Sequence, residues 1–354
     1  IGAIMCADNS IQGVWKLVVG VFIAGVLQII VQLPALFKCG FQFHAQKYAK
    51  RMSVAAIVAD SGVRKIGRLL VPRIMGTAIY QLNIFVDTIF ASFTFLVGPD
   101  AIAAIFYAGL MIQFPLGIFS NAISSASLPE LSHLAAKKEM EKYVETVTFS
   151  LTNILFIMIP SGLGLMVLAH PIIKLLFERG EFTPYSSMIT ATALSFYAIG
   201  LGAYALNKFF ALCFNSLHDT MTPTKIAGVA LVLNIVLITL FVVVLRTKIA
   251  GLAMASSLSA MVSSYMAYVS LQRRIQGLNS RLLAEQILKM LFAGAVMATI
   301  IFLAWQRVEY FAPAPLLLLS VAGLGIGVYS FLCHILGVHQ VRSLLQWILK
   351  KNPK

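Results

Sequence analysis

The sequence predicts an all-α protein, a polytopic transmembrane helix bundle of about nine spans. Its 354 residues are 59% hydrophobic and only 11% charged, with a mean hydropathy of +0.88. A soluble domain carries about 45–50% apolar and about 25% charged residues. So few charges cannot cover the surface of a soluble core of this size. Apolar stretches long enough to cross a bilayer, about 20 residues, recur along the chain, and no long alternating segment suggests a transmembrane β-barrel. Lys and Arg gather in alternate connections, as the positive-inside rule requires of a multi-span protein.

The stretches lie near residues 14–37, 69–97, 101–131, 148–177, 188–216, 225–245, 249–271, 286–305 and 312–336. Most connections are short, so neighbouring spans run antiparallel. The 38–68 connection holds Lys38, Lys47, Lys50, Arg51, Arg64, Lys65 and Arg68. On the same side, the third span is followed by Lys137, Lys138 and Lys142, and the sixth begins at Lys225. Arg273, Arg274, Arg281 and Lys289 flank the connection before the eighth, and Arg342, Lys350, Lys351 and Lys354 follow the ninth. The opposite side carries Lys16, Lys174, Arg179, Arg246, Lys248 and Arg307. Of 27 basic residues, 19 fall on the first side and six on the second. That asymmetry makes the first side cytoplasmic, with the carboxyl terminus on it. It also explains the net charge of +14 without a nucleic-acid partner. From Gly337, the spacing of Val341, Leu344, Leu345 and Ile348 predicts an amphipathic surface helix. A similar helix is expected around Phe43–Val58.

Composition excludes a soluble enzyme, a disordered chain and a nucleic-acid binder. There is no G-x-x-x-x-G-K-[ST] phosphate loop and no H-E-x-x-H, so nothing supports an enzymatic activity. Cys6, Cys39, Cys213 and Cys333 lie far apart, and the six His are scattered, so neither a disulfide framework nor a metal cluster is expected. The chain starts at Ile1 with no signal-peptide layout, which reads as a fragment or a processed chain.

Ionisable groups at membrane depth are functional candidates. Asp87 sits in Ile84-Phe85-Val86-Asp87-Thr88-Ile89-Phe90, far from either end of its span. It fits a cation site or a proton relay, and equally a structural hydrogen bond. Arg73 and Lys208 lie within spans, where they either reach to the headgroups or line a cationic cavity for phosphate oxygens. Asn234, Ser256 and Ser257 sit mid-span and suit helix packing, or an oxygen-rich site for a hard cation such as Na⁺. Gln113-Phe114-Pro115-Leu116-Gly117 joins a helix kink to a glycine, as a hinge or as a static bend.

Several collinear motifs carry a family resemblance. They are Gly25-Val26-Leu27-Gln28 with Gln32-Leu33-Pro34-Ala35-Leu36, Tyr80-Gln81-Leu82-Asn83 with Val86-Asp87-Thr88-Ile89-Phe90-Ala91-Ser92, and Tyr107-Ala108 with Gln113-Phe114-Pro115-Leu116-Gly117 and Leu128-Pro129. Leu176-Phe177-Glu178-Arg179-Gly180-Glu181-Phe182-Thr183 and His218-Asp219-Thr220-Met221-Thr222-Pro223 follow. Together they resemble the MurJ (MviN) family of lipid II flippases, within the MOP transporter superfamily, up to about Gln272.

The resemblance implies fourteen helices in the complete family fold, with this chain starting just before the sixth. It implies that residues 1–66 hold the last helix of an amino-terminal lobe and a basic linker. Residues 67–272 are then a six-helix MOP-type carboxyl-terminal lobe, and 273–354 are two extra helices with a basic tail. The implied ion-binding set is Asp87, Asn234 and Ser256, with Ile238 where a second polar side chain is often found and Thr239 beside it. The substrate-cavity set is Arg73, Gln113 and Lys208, with Leu110 at a position where the family carries Arg. Pro115 and Gly117 form the hinge. No cofactor is expected beyond Na⁺ or another monovalent cation. The implied function is flipping of lipid II across the bacterial inner membrane by alternating access, with an undecaprenyl-linked substrate, membrane lipids and cell-wall synthesis proteins as partners. A related exporter of another polyprenyl-linked glycan or an amphipathic drug, and a membrane protein that binds without transport, stay open as alternatives.

Overall fold

A computed structural model of the chain describes residues 11–38, 61–308, 314–338 and 340. The chain divides into two compact units, Ile1–Gly67 and Arg68–Lys354. Within the first, α1 (Ile11–Lys38) carries Pro34 inside the helix and ends on Lys38, whose charge complements the carboxyl end of the helix dipole. The expected surface helices at 43–58 and after Gly337 lie almost wholly outside the described residues.

The second unit is built from α2 (Ser61–Ser92) from Arg68 onward, α3 (Ala101–Lys137), α4 (Met140–Val167), α5 (Ala169–Phe177), α6 (Pro184–Ile199), α7 (Leu201–Ser216), α8 (Met221–Val244), α9 (Lys248–Ile275), α10 (Ser280–Val308) and α11 (Ala314–Ile335). Among the described residues, eight helices are long and apolar enough to cross a membrane, and nine spans result when α6 and α7 are counted as one. That agrees with the expected number.

Several boundaries differ from expectation, two of them by more than a few residues of helix end. The span placed at 148–177 starts at Met140, and its helix ends at Val167. Leu168 then breaks the chain direction, and Pro171 falls in the first turn of α5, where its missing N–H costs nothing. The span placed at 188–216 is two helices bent by 51° at Gly200. Its start is set by Thr183, whose hydroxyl accepts the Ser186 backbone N–H at 3.2 Å, with Pro184 in the first turn.

Helix α9 is the centre of the unit. Its Ala, Gly and Ser residues let neighbouring backbones approach closely, and their hydroxyls bond across helices. Ser257 donates to the Phe196 carbonyl of α6 at 2.8 Å, and Ser259 to the Ala230 carbonyl of α8 at 2.6 Å. Asn207 of α7 donates back to the Ala260 carbonyl at 3.0 Å. Helices α10 and α11 build a separate apolar cluster against α4. Met290, Met297, Ile301, Tyr329 and Cys333 are buried there, with the Tyr329 ring 5.4 Å from Phe156. Cys213 and Cys333 are both buried and free, as small hydrophobes. The outward face is apolar, with Phe106, Phe114, Val232 and Ile326 exposed, which suits contact with lipid tails rather than water.

The start of α8 is pinned by Asp219. Its carboxylate accepts the Met221 and Thr222 backbone N–H groups at 3.1 and 3.0 Å and the Thr222 hydroxyl at 2.7 Å. It also pairs with Arg274 at the end of α9. Partial burial pushes the Asp219 carboxyl up, but the Thr222 bonds and the Arg274 guanidinium outweigh that and hold it below its usual value. A depressed folded value means stabilisation above the pH where unfolded Asp titrates, about 3.9. It is lost as pH falls through that range towards the folded value. The melting temperature of Asp219→Asn should therefore lie furthest below the native one near neutral pH and converge on it in acid. A gap independent of pH would remove this role.

Candidate functional site

Asn83 and Asp87 stand four residues apart on α2, so they share one helix face. That face meets Asn234 of α8, which is fully buried, and Ser256 of α9, which is 8% exposed. Asn234 Nδ2 donates to Asp87 Oδ1 at 2.9 Å and to Asn83 Oδ1 at 2.6 Å. Ser256 Oγ donates to Asp87 Oδ2 at 3.0 Å. Three helices thus converge on one half-buried carboxylate, and both of its oxygens are used. The sequence-derived ion set is brought together within hydrogen-bond distance.

The donor chemistry also fits a cation. Asn234 Oδ1 is buried and has no hydrogen-bond partner. An unused carbonyl oxygen beside a carboxylate and a hydroxyl is an oxygen-only set of the kind hard cations prefer. A single carboxylate matches one positive charge. Among the described residues no group of three or more His, Cys, Asp or Glu side chains can hold a metal ion.

Ile238, one turn after Asn234, is fully buried and contributes no ligand atom. Thr239 is exposed and donates to the Ile235 carbonyl at 2.8 Å, so it does not replace the missing group. Asn83 was legible only as part of a motif. Its signal was the four-residue spacing to Asp87.

Of the expected cavity set, Gln113 lies on α3 and Lys208 on α7. Gln113 and Lys208 are exposed, and among the described residues no hydrogen bond or ion pair joins them. The Arg73 side chain lies outside the described part of α2. Leu110 is 44% exposed on α3. The expected hinge coincides with an irregularity: directly after Pro115, residues Leu116–Ser120 wind as a π-helix within α3. Such stretches are found frequently at functional positions. No atom lies within 4 Å of a Cβ built on Gly117, so its neighbourhood is open.

Comparison with known proteins places these features in a context. The family model described as "Lipid II flippase MurJ" matches residues 1–322. A "Probable lipid II flippase MurJ" of Vibrio cholerae serotype O1 is 32% identical over 348 residues, covering 95% of this chain and 63% of the relative. A "Probable lipid II flippase MurJ" of Haemophilus influenzae is 30% identical over 307 residues, covering 83% of this chain and 57% of the relative. The chain therefore spans about 60% of the length of these curated relatives. The solved structure titled "Lipid II flippase MurJ, inward closed conformation" has the same fold over 80% of this chain and 56% of its own, with a TM-score of 0.62 and 24% identity.

Proposed function

The chain belongs to the lipid II flippase MurJ family, and from that membership we propose that it serves to move lipid II across the bacterial inner membrane by alternating access. The observation that carries this reading is the family match along residues 1–322. The substrate is an undecaprenyl-linked peptidoglycan precursor, and the surrounding lipids contact the apolar outer face. The loop asymmetry of Lys and Arg supports a cytoplasmic carboxyl terminus.

The proposed coupling site is Asp87 with Asn234 and Ser256. Its oxygen set favours Na⁺ or another monovalent cation. Such an ion would supply a positive charge that neutralises the Asp87 carboxylate within the membrane. Asp87 itself joins α2 to α8 and α9 through its two oxygens, so its charge state bears on how tightly these helices are held. Moving one charge through 100 mV is worth about 2.3 kcal/mol, enough to bias two conformations. Pro115, the π-helical stretch and Gly117 give α3 a place to bend between them.

Expression of the gene that carries this chain, in bacteria depleted of their own lipid II flippase, tests the reading. Restored growth and lipid II reaching the outer leaflet are expected. Lipid II held on the inner leaflet, with the protein inserted at normal level, would overturn it.

A further inference from the structure

We propose that a cavity at one end of the bundle, formed by none of the Asp87-cluster residues, binds a small zwitterionic peptide through its free ammonium and carboxylate groups. The cavity has a volume of about 500 Å³ and lies among the start of α3, the end of α5, the connection after it and the start of α6. Small-molecule sites occupy about 300–1,000 Å³.

Its walls are held in place. Asp100 adopts a left-handed backbone with φ of 60°, sparsely populated for a residue with a Cβ, and its Oδ2 accepts the Ser186 hydroxyl at 2.9 Å. The Tyr107, Phe177 and Phe182 rings form a three-membered cluster, with Tyr107 at centroid distances of 4.7 Å from Phe177 and 5.3 Å from Phe182, and those two 6.0 Å apart.

Three charged side chains line the cavity: Asp100, Arg179 and Glu181. Among the described residues none of them forms an ion pair. Arg179 donates one bond, to the Leu176 carbonyl at 2.6 Å, leaving the rest of its guanidinium donors for a ligand. Thr190 also lines the cavity, is fully buried, and its hydroxyl has no partner.

The mixture of signs selects the ligand. A free anion such as phosphate meets two carboxylates, and a simple cation meets Arg179. A ligand bearing both signs satisfies all three. Its carboxylate takes the Arg179 fork, and its ammonium goes to Asp100 and Glu181 beside the Tyr107 ring.

Equilibrium dialysis of the purified full chain with alanyl-alanine, its N-acetyl form and its carboxyl-amide form tests this. Saturable binding of alanyl-alanine is expected, about tenfold weaker for each capped form, which is about 1.4 kcal/mol. Arg179→Gln should erase the preference for the free carboxylate, and Asp100→Asn should weaken the preference for the free amine. Native-like melting of each variant separates these effects from misfolding. Should a variant misfold, competition by inorganic phosphate on the native chain decides instead. No competition is expected, and displacement by phosphate would make this an anion site. Absence of saturable binding to the native chain, or equal binding of all three probes, would overturn the proposal.

Discussion

Asp87→Asn is expected to weaken ion-dependent transport by roughly 100-fold while leaving the protein inserted and folded, an effect of the size that losing a buried charge interaction produces. The reason lies in the direction of the hydrogen bonds. Both carboxylate oxygens accept, one from Asn234 and one from Ser256. An amide at position 87 accepts with one atom only and turns an N–H group towards the other donor. Ser256 can rotate its hydroxyl to accept that N–H, so the fold tolerates the change. The charge that attracts a cation is nevertheless gone. Ser256→Ala removes one neutral oxygen and leaves the carboxylate, so its effect should be smaller, about fivefold, since a net hydrogen bond contributes about 1 kcal/mol. Lipid II translocation in proteoliposomes, titrated with Na⁺ and separately with K⁺, measures both variants. An ion dependence unchanged in Asp87→Asn would remove the carboxylate from the coupling role.

How much of this was legible in the sequence depends on the range of the forces involved. Span number follows from local hydrophobic length and flanking charge, so the nine-span expectation survives folding. Asp87 stands out because a carboxylate amid Ile84, Phe85, Ile89 and Phe90 has no cheap local explanation. Its meeting with Asn234 and Ser256 followed from the family resemblance, because separations of 147 and 169 residues leave no periodic trace. The break at Leu168 had one local sign, Pro171 in the turn that follows it, because a proline bends or ends a helix, but hydropathy alone does not record chain direction. The cavity beside Tyr107 was invisible for another reason. Asp100, Arg179 and Thr190 come from three elements, and each reads alone as an ordinary loop charge or a packed hydroxyl. Lys208 stays where its chemistry alone left it: exposed on α7, it suits a headgroup contact and a cavity lining alike.

Gly200→Ala is expected to lower stability by about 1–3 kcal/mol, the usual cost of forcing extra atoms into a filled interior. The sequence places Gly200 in the middle of one apolar run, where glycine would merely weaken a helix. The structure gives it a specific task. The chain bends by 51° there, and α9 crosses against the bend. A Cβ at position 200 would lie 2.9 Å from both Cα and Cβ of Ser257 and 2.8 Å from its Oγ. Two of those atoms cannot rotate away, so α9 itself must move. That movement strains the bond from Ser257 Oγ to the Phe196 carbonyl. It also disturbs Ser256, the preceding residue, and its bond to Asp87. Gly200→Ala should therefore lower the melting temperature and weaken ion dependence together. Gly164 lies on α4, and no atom stands within 4 Å of the place its methyl group would take, so Gly164→Ala should change neither. If Gly200→Ala melts like the native protein, α9 is not held by the close approach at the bend. If it melts lower with unchanged ion dependence, the packing of α9 and the geometry at Asp87 are independent.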